Sequence, residues 1–290
     1  MLSHQGMQRL RISFLIILAT ANLCSYARAE TTQLMPTEYS KIKSLVNRIA
    51  SKNNLGGNPI LFTVVPGTYA VTLAESLRLC EKDNCNYYGQ ISPYKQYNPQ
   101  VNEILRQSFL YGDINAWAHP HGTIEISLNT FRIYGANEDY LACTLAHELS
   151  HVIKNSSYEI SKEASARVSL TKANDEIKKL IEAEVGREDE IKADKDAYVM
   201  TARAGFAKDA CIKGIDFIHR VSGDGRRTEP DSTHPGAEER IAALEAYATT
   251  NESLQNIQKV EATSGHWEYN AQMNYLKFTP APLAKQVSHE

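Results

Sequence analysis

Hydrophobic and polar positions along the chain alternate between two periods. Ile42, Leu45, Val46 and Ile49 recur at helical spacing and predict a helix over 38–52. The run 59–65, Pro-Ile-Leu-Phe-Thr-Val-Val, is short and β-rich and ends at Pro66-Gly67, which predicts a strand and a turn. A helix is expected over 71–79. Residues 86–100 are rich in Tyr, Asn, Pro and Gln and read as a loop, with a short helix over 101–110. Two strands, 115–118 and 123–128, are joined around Pro120-His121-Gly122, with Ile124, Ile126 and Leu128 on one face.

The second half of the chain reads as helical. Asn137 can cap a helix whose core stripe is Leu141, Leu145, Leu149 and Val152, with Glu138 and Asp139 in its first turn. Over 157–185, Ala166, Leu170, Ala173, Ile177 and Leu180 form a seam at alternating steps of four and three. This predicts one long helix packed on a single neighbour and interrupted at Gly186. A further helix runs to about Gly205, and two more cover about 207–221 and 236–248. Trp267, Tyr269, Tyr275 and Phe278 give the last forty residues enough apolar surface to dock.

The amino terminus follows a different logic. Arg9 and Arg11 precede an apolar run over 12–21, followed by Ala27-Arg28-Ala29. That order predicts a secretory signal peptide over 1–29, cleaved after Ala29, and export to the periplasm or medium. No later segment is long and apolar enough to span a bilayer. The net charge of −3 gives no basic footprint for nucleic acid. Past the predicted cleavage point stand Cys80, Cys85, Cys143 and Cys211. An even number in an exported chain suggests disulfides, and Cys80 with Cys85, flanking a polar turn, is the expected pair.

The sharpest chemical feature is His147-Glu-Leu-Ser-His151. Residues four apart on a helix stack one turn above the other, so both imidazoles can reach one ion. Glu148 lies about 100° round the wheel, placed to address water rather than to bind metal. Zinc suits neutral imidazoles with a carboxylate, and a third ligand is required. The helix near 190 offers Glu190 and Asp194, four apart on one face. Glu188 and Asp189 are equal candidates on composition. His119 and His121, which flank Pro120, are weighed as extra metal ligands and read as decorating the turn beside the cleft. Cys143, one turn before His147, reads as a packing residue or the partner of Cys211.

These motifs resemble the zinc gluzincins that include HtpX and the CAAX prenyl proteases. His147, Glu148 and His151 match their His-Glu-x-x-His helix. Glu190, Ala193 and Asp194 match their Glu-x-x-Ala-Asp helix, which selects Glu190 as third ligand. Asn115, Ala116, Ala118, Pro120 and Gly122 match an edge-strand segment, and Thr233, His234, Pro235 and Arg240 match a later loop and helix. The resemblance covers roughly 38–248. It departs from the membrane-embedded members, since no membrane helices follow the start, and it leaves the tail after 250 uncovered.

The resemblance implies an α+β, mainly helical zincin-like domain over 30–250, with a small antiparallel or mixed sheet beside the metal helix and an extension over 251–290. It implies one zinc per chain on His147, His151 and Glu190. Glu148 is then the general base, and Asp194 holds a ligand histidine. Arg240 can pair with Asp194 or with a substrate carboxylate. His234 is either an oxyanion donor or an occupant of the open metal position. Asn115, Ala116, Gly122, Ile124 and Ile126 mark the strand expected to pair with an extended substrate. The activity so implied is endopeptidase cleavage of unfolded or misassembled envelope proteins, with envelope assembly machinery as a possible partner. A catalytically silent zinc chaperone or assembly factor and an exopeptidase are the alternatives.

Overall fold

In the computed structural model, residues 34–281 are described, apart from 83, 88–90 and 224. The expected signal peptide lies outside the described residues. Among those described, ten helices surround a small mixed sheet, and no helix is long and apolar enough to cross a membrane.

Helix α1 (Thr37–Ala50) forms where expected, and Tyr39, Ile42, Leu45, Val46 and Ile49 are its buried stripe. Strand β1 (Ile60–Val65) follows, then α2 (Thr68–Ser76), α3 (Pro99–Tyr111), β2 (Ala116–Ala118) and β3 (Thr123–Ser127). Leu128, read from its alternation as a strand residue, instead opens α4 (Leu128–Tyr134). Gly135, at φ +57, ends that helix. Helix α5 (Glu138–Lys154) is capped by Asn137, whose side chain accepts from the Tyr140 amide. It ends at Asn155 in the left-handed conformation.

Two helical expectations are corrected. The predicted helix over 157–185 is an antiparallel pair, α6 (Ser156–Thr171) and α7 (Asp175–Arg203), turning at Lys172 with φ +50. Asn174 caps α7 by accepting from the Ile177 amide. A repeat counted through this turn runs from one helix to another, so the seam does not hold. Leu170, Ile177 and Leu180 are exposed, while Ala164, Ile181 and Val185 close the pair. Nor does Gly186 interrupt a helix. It lies inside α7, where an added Cβ would sit 3.2 Å from Thr233. This glycine admits a loop against the helix.

Helices α8 (Ala210–Ser222), α9 (Ala237–Ala248) and α10 (Asn251–Gln258) lead to the hairpin of β4 (Gly265–Asn270) and β5 (Tyr275–Pro280). Within the segment expected as an extension, β4 and β5 therefore join the main sheet, whose order is β2-β3-β1-β5-β4. Strand β5 pairs antiparallel with β1, Phe62 opposite Leu276, and β1 pairs parallel with β3. Phe278 is buried, and the rings of Phe62, Trp267 and Phe278 lie together. The apolar residues of the tail are there to complete the core.

The sheet order also corrects the substrate-strand expectation. Strand β3 is internal, and Ile124 and Ile126 are fully buried core residues. The edge strands are β2 and β4. Gly122 serves the turn at φ +86, and its carbonyl accepts from the Leu61 amide at 3.0 Å.

Candidate metal centre and cleft

Helix α5 crosses α7, and the facing turns carry the predicted residues. Nε2 of His147 and Nε2 of His151 are 3.1 Å apart. His147 Nε2 lies 3.2 Å from one oxygen of Glu190, and His151 Nε2 lies 3.5 Å from the other. Ligands at 2.0–2.1 Å around a tetrahedral zinc are separated by about 3.3 Å, so these spacings are those of one face of a zinc shell. All three donor groups lie within 4.8 Å of one another, and they form the only such cluster among the described residues. The donor set, two imidazoles and a carboxylate, is one that zinc takes in catalytic sites.

Each imidazole is held from behind by a carboxylate. Asp194 Oδ1 lies 3.0 Å from His147 Nδ1, and Asp189 Oδ2 lies 3.1 Å from His151 Nδ1. Such contacts fix the ring so that Nε2 faces the metal. Asp194 is itself gripped by Arg240 of α9, whose Nε and Nη2 donate at 2.7 and 2.5 Å. Arg240 therefore pairs with Asp194, one of its two expected partners. Glu188, the other acid weighed as a ligand, is turned away and bound by Arg167 at 2.8 Å. The sequence does not single out Asp189 as a support for His151. Its neighbour Glu190 carries the family match, and spacing alone does not rank adjacent acids.

Charge and burial shape these groups. Burial pulls the His147 imidazole down, but Asp194 and Glu190 outweigh it and push its pKa up to about 10. The same contest, with Asp189 and Glu190, pushes His151 up to about 9. Burial pulls Glu190 upward, yet the two histidines hold it far below the usual carboxylate range. Glu148 is buried beside them and has no such direct partner. Burial is its dominant influence and raises it. A carboxylate displaced in that direction accepts a proton more readily.

His234 reaches the site from the loop between α8 and α9. Its Nε2 lies 3.6 Å from Glu190 Oε1, and its side chain is 70% exposed. Thr233 Oγ1 contacts its Nδ1 at 3.0 Å, and Ser232 Oγ accepts from its backbone N–H at 3.1 Å. Arg187 on α7 donates to the carbonyls of Pro230 and Ser232 at 2.9 and 2.7 Å, tying the loop to the metal helix. Nothing in the spacing of Arg187 along the sequence marks it for this task. His119 does not join the metal centre: it pairs with Glu125 at 2.9 Å and stacks on His121.

The centre opens into a cleft of about 640 Å³ whose walls include β2, α5, α8 and the His234 loop. In the antiparallel β2–β3 ladder the bonded pairs include Asn115 with Ser127 and His119 with Thr123, so the main-chain groups of Ala116 and Ala118 point outward. Asn115 anchors this strand: its N–H meets the hydroxyls of Ser127 and Thr130, and its Oδ1 accepts from the Ala116 amide at 2.9 Å. Disulfides join Cys80 to Cys85 and Cys143 to Cys211. The second of these ties α5 to α8, two of the helices that line the cleft.

Comparison with known proteins agrees with this geometry. The model of peptidase family M48 matches residues 165–248, a stretch that contains Glu190, Asp194, His234 and Arg240 but not the His147–His151 helix. No curated protein and no solved structure matches the chain.

Proposed function

We propose that this chain, a metallopeptidase of the M48, HtpX-like type, is an exported endopeptidase that binds one zinc and cleaves extended segments of unfolded or misassembled proteins. The observation that carries the reading is the joint placement of three elements in one cleft. These are the His147, His151 and Glu190 cluster, the buried Glu148 beside it, and the outer edge of β2, where the main-chain groups of Ala118 point away from β3.

Each residue then has a task. His147, His151 and Glu190 would hold the zinc, which supplies a Lewis acid that polarises a carbonyl and acidifies water. An extended peptide lies along β2 and bonds to the Ala116 carbonyl and to the N–H and carbonyl of Ala118, a mode that reads little side-chain identity. Glu148 takes a proton from the attacking water and returns it to the leaving amine. His234 donates to the oxyanion that develops on the scissile carbonyl. Its position 3.6 Å from a ligand oxygen, on an exposed side chain that lines the cleft, supports that role. Export follows from the charged, apolar and small-residue order of the first 29 positions. It makes envelope proteins the natural substrates.

The test uses the mature chain and an unfolded casein. Cleavage should require zinc, stop with a chelator, and return when zinc is restored, with internal fragments in the products. Release of single terminal residues would favour an exopeptidase. Zinc binding without cleavage of any substrate would favour a silent assembly factor.

A further inference from the structure

We infer that the cleft contains a subsite for one large apolar side chain next to Glu148, and that Gly214 sets its depth. The inference rests on the peptidase reading above and adds a substrate preference to it.

One wall is the amino-terminal half of α5. Going back from Glu148 in steps of four, Thr144 and Tyr140 present the same face to the cleft. Tyr134 of α4 adds its ring, and its hydroxyl lies 3.0 Å from Thr144 Oγ1, so the two hydroxyls can satisfy one another. The facing wall is α8, which contributes Gly214, Ile215 and Ile218. None of these six residues carries a charge. The Cys143–Cys211 disulfide holds the two helices at a fixed separation, so the gap between them is built in.

Gly214 is the informative position. It lies inside α8 and has no positive φ, so the backbone does not require glycine there. An added Cβ would lie 3.7 Å from Tyr140 Cδ1 and 3.9 Å from its Cα and Cβ, ordinary contacts across the α5–α8 pair, so packing does not require glycine either. A glycine inside a helix costs about 0.5–1 kcal/mol relative to alanine. Neither fold nor packing accounts for that cost, whereas an open floor beneath a substrate side chain does. A longer side chain at 214 would press on Tyr140, which forms the opposite wall, and so narrow the space between the walls.

The experiment uses internally quenched peptides that differ in one residue beside the scissile bond, with products sized by mass spectrometry. For the zinc-loaded wild type, kcat/KM with Phe or Leu at the selected position should exceed that with Ala by more than about tenfold, and Asp or Lys should be rejected. Gly214→Leu should lower the Phe peptide far more than the Ala peptide and bring their ratio towards one. Gly214→Ala, whose Cβ fits the fold, should lower the Phe-to-Ala ratio in part, and it decides the matter if the leucine variant does not fold. Cleavage by the wild type with no apolar preference, or an equal loss on both peptides in the variants, overturns the subsite alone. A zinc-loaded wild type inert towards every peptide overturns the peptidase reading, and this inference with it.

Discussion

Arg240 and Asp194 form a two-point ion pair, with Nε and Nη2 donating to separate carboxylate oxygens, and Asp194 Oδ1 also lies 3.0 Å from His147 Nδ1. A residue of α9 thus reaches the candidate metal ligands through a carboxylate on α7 and an imidazole on α5. Asp194→Asn keeps the shape and removes the charge. It should weaken zinc binding by about 10–100-fold, as loss of such a support does elsewhere. Competition with a chromophoric chelator measures this, and unchanged affinity would detach Asp194 from the metal site.

The raised imidazoles predict a proton count. With His147 at about 10 and His151 at about 9, the metal-free protein carries both protons near neutral pH. Zinc needs both rings neutral, so its uptake should release about two protons, and affinity should rise with pH until those groups have titrated. Calorimetry in buffers of different ionisation enthalpy gives the number. Release of well under one proton would mean that the rings are neutral before the metal arrives.

The outward main-chain groups of Ala118 on β2 predict a backbone effect. Ala118→Pro removes an outward N–H that no other residue of the ladder needs. Zinc content should be retained while kcat/KM on unfolded casein falls at least about tenfold. Full activity in that variant would take substrate off β2.

Part of this arrangement is legible in the amino-acid sequence and part is not. The His147–His151 pair announces itself because four residues on a helix is one turn, and the apolar stripe around it fixes which face is buried. Glu190 needs the family pattern, since Glu188, Asp189 and Glu190 are adjacent acids, and only the fold shows Arg167 drawing Glu188 aside. The order of strands is not legible. Ile124 and Ile126 alternate as they would in an edge or an internal strand, and β5, from the far end of the chain, pairs with β1. The turn at Lys172 is hidden as well. No Gly or Pro marks it, and the seam continues numerically through the reversal. The Cys143–Cys211 bond, one of the two readings open for Cys143 in the sequence, joins positions 68 residues apart that the packing of α8 on α5 brings close.

His234→Ala separates the two roles open to that side chain. As an oxyanion donor its loss should lower kcat by up to about a hundredfold and leave zinc affinity intact. A rise in basal activity would instead identify it as an occupant of the open metal position.

The role of Glu148 as base of a zinc peptidase is tested most directly by Glu148→Gln, which preserves size and burial and removes only the ability to take a proton. The zinc-loaded variant and wild type should be compared on unfolded casein at equal metal content. The expected result is a folded variant with one zinc per chain and cleavage reduced by at least about a hundredfold. Undiminished cleavage by a zinc-loaded Glu148→Gln chain would contradict it.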